Sequence, residues 1–350
     1  MKTFNIQNLI RENIKKMKPY SSARDEFADF DQNIIFLDAN ENPNENGVNR
    51  YPDPQQKNLK SALSEIKRFS ENQILLGNGS DEVLDLLFRA FCEPNIDNVI
   101  TLPPTYGMYG VLANLNAIEN REILLNEEYE PQIDKILSNV DSNTKIIFLC
   151  SPNNPTGNSF PDESIVTLLK NFNGIVAIDE AYIDFSEKES WLSEINDYPN
   201  LVIIQTLSKA YGMAGIRLGI LYASLEIILV LNKIKPPYNV NVLTQSKALQ
   251  YIINQEVTQS QIIEIKEQRN LVYRQLLNTN FVKKNYKTDA NFILCKADNA
   301  NLRYNQFLDK GIVIRNRTND ALCENCLRIT IGTKEENQKL IEVLKQLDNL

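Results

Sequence analysis

The chain has 350 residues, 43% of them hydrophobic and 23% charged, with 37 Lys and Arg against 45 Asp and Glu and no histidine. That balance excludes disorder as the starting expectation and suits one large globular domain or two smaller ones. A formal net charge of -8 argues against nucleic acid and anionic membranes, which are bound mainly through clustered Lys and Arg, and the missing histidine removes Ser-His and Cys-His nucleophile systems.

Residues 1–20 are punctuated by Lys2, Arg11, Glu12, Lys15, Lys16 and Lys18, so they lack the unbroken apolar core of a signal peptide, and a cytoplasmic protein is expected. Apolar or β-branched runs at 33–37, 98–102, 121–125, 145–150, 174–178, 201–205 and 218–222 predict strands. Helical spacing lies between several of them, at 81–92, 133–139 and 162–170. The longest apolar stretch, 220–231, is broken by Ser224 and Glu226 and is too short to span a bilayer. Beyond Asn239 a helical stretch over 244–278 precedes short strand-like runs at 291–295, 311–315 and 327–331.

Strands alternating with helices predict an α/β fold with a mostly parallel central sheet, followed here by a smaller α+β domain. The expected division is an N-terminal segment over 1–45 that packs with the small domain or with a partner subunit, a large domain over 46–240 and a small one over 241–350. The five cysteines are odd in number and scattered through a chain too large to need a disulfide framework, so reduced thiols are expected. Cys323 and Cys326 form a C-x-x-C without a second pair or a histidine, and no metal site is expected.

In parallel sheets, ligands bind at the carboxyl ends of the strands. Polar clusters follow the apolar runs there: S-P-N-N-P-T-G over 151–157, D-E-A-Y over 179–182 and T-L-S-K over 206–209. Asp179 ends an apolar run, where a buried carboxylate needs a cationic or multiply donating partner. A protonated pyridine nitrogen is such a partner, and its positive charge makes the ring an electron sink. The alternatives are a strand-end acid that caps a turn, or the acid of a Walker B strand; the second lacks its G-x-x-x-x-G-K-[ST] cradle anywhere in the chain.

Lys209 follows a strand, sits among the hydroxyls of Thr206 and Ser208 and the small residues Ala210 and Gly212, and precedes G-I-R at 215–217. A lysine that carries pyridoxal 5′-phosphate as a Schiff base must be desolvated and have small neighbours, and Arg217 with the two hydroxyls would suit a phosphate. L-G-N-G-S-D-E over 76–82 opens a helix at Ser80 and Asp81, an anion site or a plain N-cap. It fails the dinucleotide fingerprint because Glu82 stands at the third glycine position, which leaves a nicotinamide-dependent dehydrogenase as a distant alternative. Tyr106, in P-T-Y-G-M-Y over 104–109, offers a ring to stack on a planar cofactor or simply a core tyrosine, and Asn154 and Tyr182 stand where a phenolic oxygen would be bound.

Taken in order, these motifs together with L-D-A-N-E-N-P over 37–43, Y-P-D-P-Q over 51–55 and L-R-I-T over 327–330 resemble the fold type I pyridoxal-phosphate enzymes, and within them the histidinol-phosphate aminotransferase family. The resemblance implies that Lys209 anchors the cofactor and moves the proton, Asp179 pairs with the pyridine nitrogen, and Tyr182 and Asn154 bind the phenolic oxygen. It places Tyr106 on the ring and Ser80, Asp81, Thr206, Ser208 and Arg217 around the phosphate. Arg328 is similar to the arginine that takes the substrate's anionic group, with Arg315 beside it. Tyr20 and Asn40 belong to the substrate side, and Tyr51 reaches the neighbouring site of a homodimer. The implied reaction exchanges an amino group between histidinol phosphate and 2-oxoglutarate, giving imidazole-acetol phosphate and L-glutamate, a step of histidine biosynthesis. An aromatic-amino-acid aminotransferase and a threonine-phosphate decarboxylase share much of the pattern.

Overall fold

The computed structural model describes residues 4–20 and 35–348. Seven strands form one sheet: β1 Ile74–Asn78, β2 Asn98–Thr101, β3 Glu119–Glu122, β4 Thr144–Cys150, β5 Ile175–Asp179, β6 Leu201–Thr206 and β7 Leu218–Ala223. Their order is β1-β7-β6-β5-β4-β2-β3, with β7 antiparallel to both neighbours and the other pairs parallel. The central strands read as continuous apolar runs because both sheet faces are covered.

Alternation along the strands decides which face each side chain takes. Ile147 and Leu149, Val176 and Ile178, and Leu201 and Ile203 enter one core cluster. Ile146, Phe148 and Cys150, Ile175 and Ala177, and Val202 and Ile204 enter the other, which holds the helix Gly79–Phe91 and Tyr109. Continuing that period by one step puts Asp179 and Thr206 at neighbouring strand ends on the same face as Cys150.

A second sheet, all antiparallel, has β8 Val282–Asn285, β9 Phe292–Ala297, β10 Arg315–Asn316 and β11 Cys326–Thr330 in the order β10-β11-β9-β8. Ile293, Cys295, Leu327 and Ile329 pack with side chains of the helices Gln255–Leu277, Ala300–Asp309 and Lys334–Asp348. The alternate residues Leu294 and Cys326 join the core of the large sheet, so Arg328, two residues beyond Cys326, leans the same way.

Several sequence expectations need correction. The helix expected over 244–278 is two, Val242–Ile253 and Gln255–Leu277, because Asn254 leaves helical dihedrals (φ −100°, ψ 70°). The run at 311–315 contributes only its last residue to a strand, since β10 pairs with β11 through just Arg315↔Arg328 and Asn316↔Leu327. Of the run at 33–37, residues 35–37 lie in no strand and 33–34 fall outside the described residues. Ile6, Leu9, Ile10 and Ile14 do not reach the small sheet; they bury themselves against the cluster that holds the helices Gly79–Phe91 and Leu225–Ile234. Arg11 fixes them there by pairing with Glu93 at 3.1 Å, and Lys233 donates to the Ile14 carbonyl at 3.0 Å. Among the described residues no helix is long and apolar enough to cross a membrane.

Two glycines join the sheet to the helix start. Gly79 takes φ 76° and a side chain there would strike the Arg217 guanidinium, while a Cβ on Gly219 of β7 would run into the backbone of Gly79 and Ser80. Backbone cannot give way as a flexible side chain does. Gly219→Ala is therefore expected to cost about 1–3 kcal/mol, the range for overpacking a tight site, read as a lower urea midpoint at unchanged slope.

Candidate active site

The carboxyl ends of β4, β5 and β6, the start of helix Gly79–Phe91 and the edge of the second sheet enclose a cavity of about 460 Å³. Ser80, Asp81, Tyr106, Asn154, Asp179, Tyr182, Thr206, Ser208, Lys209, Arg217, Arg315 and Arg328 all line it. The cavity thus gathers residues separated by more than two-thirds of the chain, from Ser80 to Arg328.

Asp179 forms the buried floor, only 3% exposed. Its Oδ2 accepts from the Tyr109 hydroxyl at 2.9 Å and its Oδ1 from the Ala181 amide at 3.1 Å. Burial outweighs these donors and pushes its carboxyl up to about 6, so the site disfavours an unpaired negative charge and would welcome a cation. Tyr109 was not singled out in the sequence; it is the last residue of the 104–109 run, and only the buried turn of helix Met108–Leu115 aims it at Asp179. Its ring stacks on Phe148, with centroids 5.0 Å apart.

Lys209 sits in the turn after β6, in a loop closed by bonds from Met213 N to Leu207 O and from Gly212 N to Lys209 O. Desolvation first, and the Arg328 charge second, lower its ammonium below the ordinary range, while Asp179 works weakly the other way. Among the described residues it makes no ion pair, and its Nζ stands 5.6 Å from the centre of the Tyr182 ring. A lysine held this way loses its proton more readily and becomes a nucleophile and base.

An anion cradle lies at one end. The first turn of a helix leaves its amides without intrahelical acceptors. Gly79 N donates to Arg217 O, which leaves the amides of Ser80 and Asp81 at the cavity wall. Arg217 holds a left-handed φ of 55°, a strained backbone for a non-glycine residue. That turn brings its guanidinium within 3.5 Å of Ser208 Oγ and of Asp81. Thr206 donates to Ser208 Oγ at 3.0 Å, and the Asp81 carboxylate is occupied by the Tyr106 hydroxyl at 3.0 Å. Donors line the cavity, and the acid among them is paired with Tyr106 and Arg217.

Other guanidinium groups enter the cavity from the second sheet. Arg315 and Arg328 are direct cross-strand partners, so their side chains share a face, and Arg317 follows Arg315 at the same period. Arg328 donates to Asn154 Oδ1 and lies 5.2 Å above the Phe292 ring, while its buried Nε has no partner. Its guanidinium is lowered by desolvation and by the neighbouring Arg317 and Arg315, a concentration of like charge that calls for an anion. Arg317 escaped the sequence reading, although strict alternation from Arg315 would have found it.

Other expected residues stay apart. Tyr20 is 74% exposed, and Asn40 and Tyr51 line a different cleft, about 430 Å³, with Arg50 and Leu243. Tyr51 stacks on Tyr238 at 4.4 Å and does not reach the cavity within its own chain. No group of three or more Cys, Asp or Glu that would hold a metal occurs among the described residues. The five cysteines are free and buried.

The electrostatics of Asp179 can be measured in the ligand-free chain. Its folded value of about 6 lies above the ~3.9 of an ordinary aspartate, so between those two pH values the folded chain keeps a proton that the unfolded chain has lost. Stability is therefore full below the lower value and is lost as pH rises through the upper one. The two-unit gap corresponds to about 3 kcal/mol, and no histidine titrates in the same window. Asp179→Asn is expected to flatten the decline between about pH 4 and about pH 6.5 in urea titrations and to stabilise the ligand-free chain near pH 7 by about 1–3 kcal/mol. A decline as steep as that of the parent chain would mean that Asp179 titrates normally.

Comparison with known proteins agrees with this geometry. The pattern of the aminotransferase class I and II family matches residues 26–344. A histidinol-phosphate aminotransferase of Flavobacterium johnsoniae is 68% identical over 349 residues, covering 99% of this chain and 100% of that protein. The crystal structure of the histidinol-phosphate aminotransferase from Clostridium acetobutylicum superposes with a TM-score of 0.80 at 26% identity, covering 86% of this chain and 91% of that one. The enzyme of that name from Sinorhizobium meliloti, solved in complex with pyridoxal-5′-phosphate, shares the fold with a TM-score of 0.78 at 22% identity, covering 85% and 83%. With the family pattern spanning nearly the whole chain, the protein belongs to the class I and II aminotransferases.

Proposed function

We propose that this chain is a pyridoxal 5′-phosphate-dependent transaminase that exchanges the amino group of histidinol phosphate with 2-oxoglutarate, as in histidine biosynthesis. The observation that carries the chemistry is a depressed lysine and a buried, proton-seeking carboxylate on one cavity that also holds an anion cradle. The substrate follows from the 68% identical relative, matched over its full length.

The residues present fit the cofactor. Asp179 would meet the pyridine nitrogen, since a cation relieves the cost of its burial. The phosphate would take the Ser80 and Asp81 amides, the hydroxyls of Thr206 and Ser208 and the Arg217 fork, and Tyr106 would cover the ring. Asn154, whose oxygen is already committed to Arg328, would turn its amide NH₂ to the phenolic oxygen beside the Tyr182 hydroxyl. When bound, the cofactor supplies an electron sink that stabilises negative charge at the substrate α-carbon.

The chain's own residues do the rest. Lys209, with its proton loosened by burial, would hold the cofactor and serve as the base that takes the substrate α-proton. Asp179 would stay ionised against a protonated ring nitrogen, and Tyr109 keeps that carboxylate aimed. Arg328, with Arg315, fixes the substrate's anionic group, which orients the α-proton toward the lysine. The lack of any histidine leaves this proton traffic to Lys209 and the tyrosines.

The cavity lies between the two sheets, which favours a large domain over 46–240 and a small one over 241–350. The functional unit of this reading is a cytoplasmic homodimer. A second copy would cover the exposed Leu37 and Leu243 and would receive Tyr51 into its own site, with Tyr20 and Asn40 on the substrate side.

The test is direct. Purified protein should be yellow and should lose that visible absorption on adding either L-glutamate or L-histidinol phosphate. Lys209→Ala should lack the lysine-bound cofactor band and turn over at least about 10³-fold more slowly. A Lys209→Ala protein with full activity, or conversion of phenylalanine but not histidinol phosphate, would sink the reading.

A further inference from the structure

One charged group on the cavity wall has no task in the scheme above. Arg317 lies two residues beyond Arg315, and its amide donates to Cys326 O at 2.8 Å, which extends the β10–β11 register by one step. In extended chain that spacing sends both side chains to one face. Asp320 turns back on Arg317, its amide bonding Arg317 O at 2.9 Å and its carboxylate pairing with the guanidinium. The Nε of Arg317 is nonetheless buried without a partner. Arg317 also lines, with Tyr106 and Gly107, both the main cavity and a neighbouring cleft of about 260 Å³ that Asp320 and Glu122 line.

Three guanidinium groups therefore meet at this end of the cavity with a single paired carboxylate among them. One carboxylate of a substrate, with one charge and two oxygens, is satisfied by the forks of Arg315 and Arg328. A phosphate ester carries about −1.5 to −2 and three acceptor oxygens, so it has charge and lone pairs left over for a third donor. A transaminase that takes glutamate and histidinol phosphate in alternation must accept both anions in one place. Selectivity between them needs a group that responds to the extra charge.

We propose that Arg317 is a third anion ligand of the substrate pocket, held by Asp320 when a carboxylate is bound and shared with a phosphate ester when one arrives, and that it sets the preference between them. This inference rests on the function proposed above. Asp320 competes with the substrate for the guanidinium, so the two residues have opposite effects on phosphate binding.

The experiment measures kcat/KM for histidinol phosphate and for L-glutamate on the holoenzyme, together with competitive inhibition by inorganic phosphate. Arg317→Gln is expected to lower the ratio of the two kcat/KM values about tenfold or more, mainly through KM, and to weaken phosphate inhibition. Asp320→Asn, which keeps the shape of the turn but removes the competing charge, is expected to tighten phosphate inhibition severalfold. If both variants weaken phosphate alike, Arg317 only ties the turn and the proposal is overturned; an equal fall for both substrates in Arg317→Gln overturns it as well. A parent enzyme that turns over glutamate but not histidinol phosphate would defeat the functional reading instead, and the opposed inhibition shifts would still decide the role of Arg317.

Discussion

The site is organised by the cost of placing a carboxylate at the buried end of β5. Taking one charge out of water costs several kcal/mol unless partners replace the lost solvation, and among the described residues the Asp179 carboxylate accepts hydrogen bonds only from a tyrosine hydroxyl and one backbone amide. Burial outweighs those donors and raises its carboxyl to about 6, so the site favours a cation. The same low-polarity surroundings lower the Lys209 ammonium. One physical condition, burial, thus prepares both a base and its counter-group, in a chain with no histidine to supply either.

Charge is segregated along the cavity. Amides, hydroxyls and Arg217 line the cavity from the start of helix Gly79–Phe91 and the ends of β6 and β7, three arginines from the second sheet, and Asp179 and Lys209 from β5 and the turn after β6. A ligand with two anionic ends and a cationic ring nitrogen matches this set of groups. The acids near the cradle and near the arginines are committed elsewhere: Asp81 to Tyr106 and Arg217, Asp320 to Arg317. Pairing keeps their charge from repelling an incoming anion while leaving the cations able to exchange partners.

Packing sets the tolerances. Gly219 and Gly79 let β7 approach the helix start more closely than any side chain would allow, which brings Arg217 onto the cradle. On the second sheet, a two-residue strand and one further bond, from Arg317 N to Cys326 O, suffice to bring Arg315, Arg317 and Arg328 to the cavity. The loop after β4 joins the two halves: Asp289 N donates to Gly157 O at 2.7 Å, next to the loop that carries Asn154.

The sequence by itself determined the local parts. Apolar runs bounded by polar clusters located β4 to β7 and the residues at their ends, because strand burial and the carboxyl-end rule are read from neighbours in the chain. Asp179 and Lys209 were legible for that reason, Ser80 as a helix start, and Arg217 from its place after the lysine loop. The tertiary structure alone decided what depends on distant packing: that Tyr109 is the partner of Asp179, and that residues 6–14 cover the large sheet instead of the small one. It also separated Tyr51 and Asn40 from the cavity of their own chain. Such pairings join positions tens to hundreds of residues apart, and the hydrogen bonds and desolvation that fix them arise only once those surfaces meet.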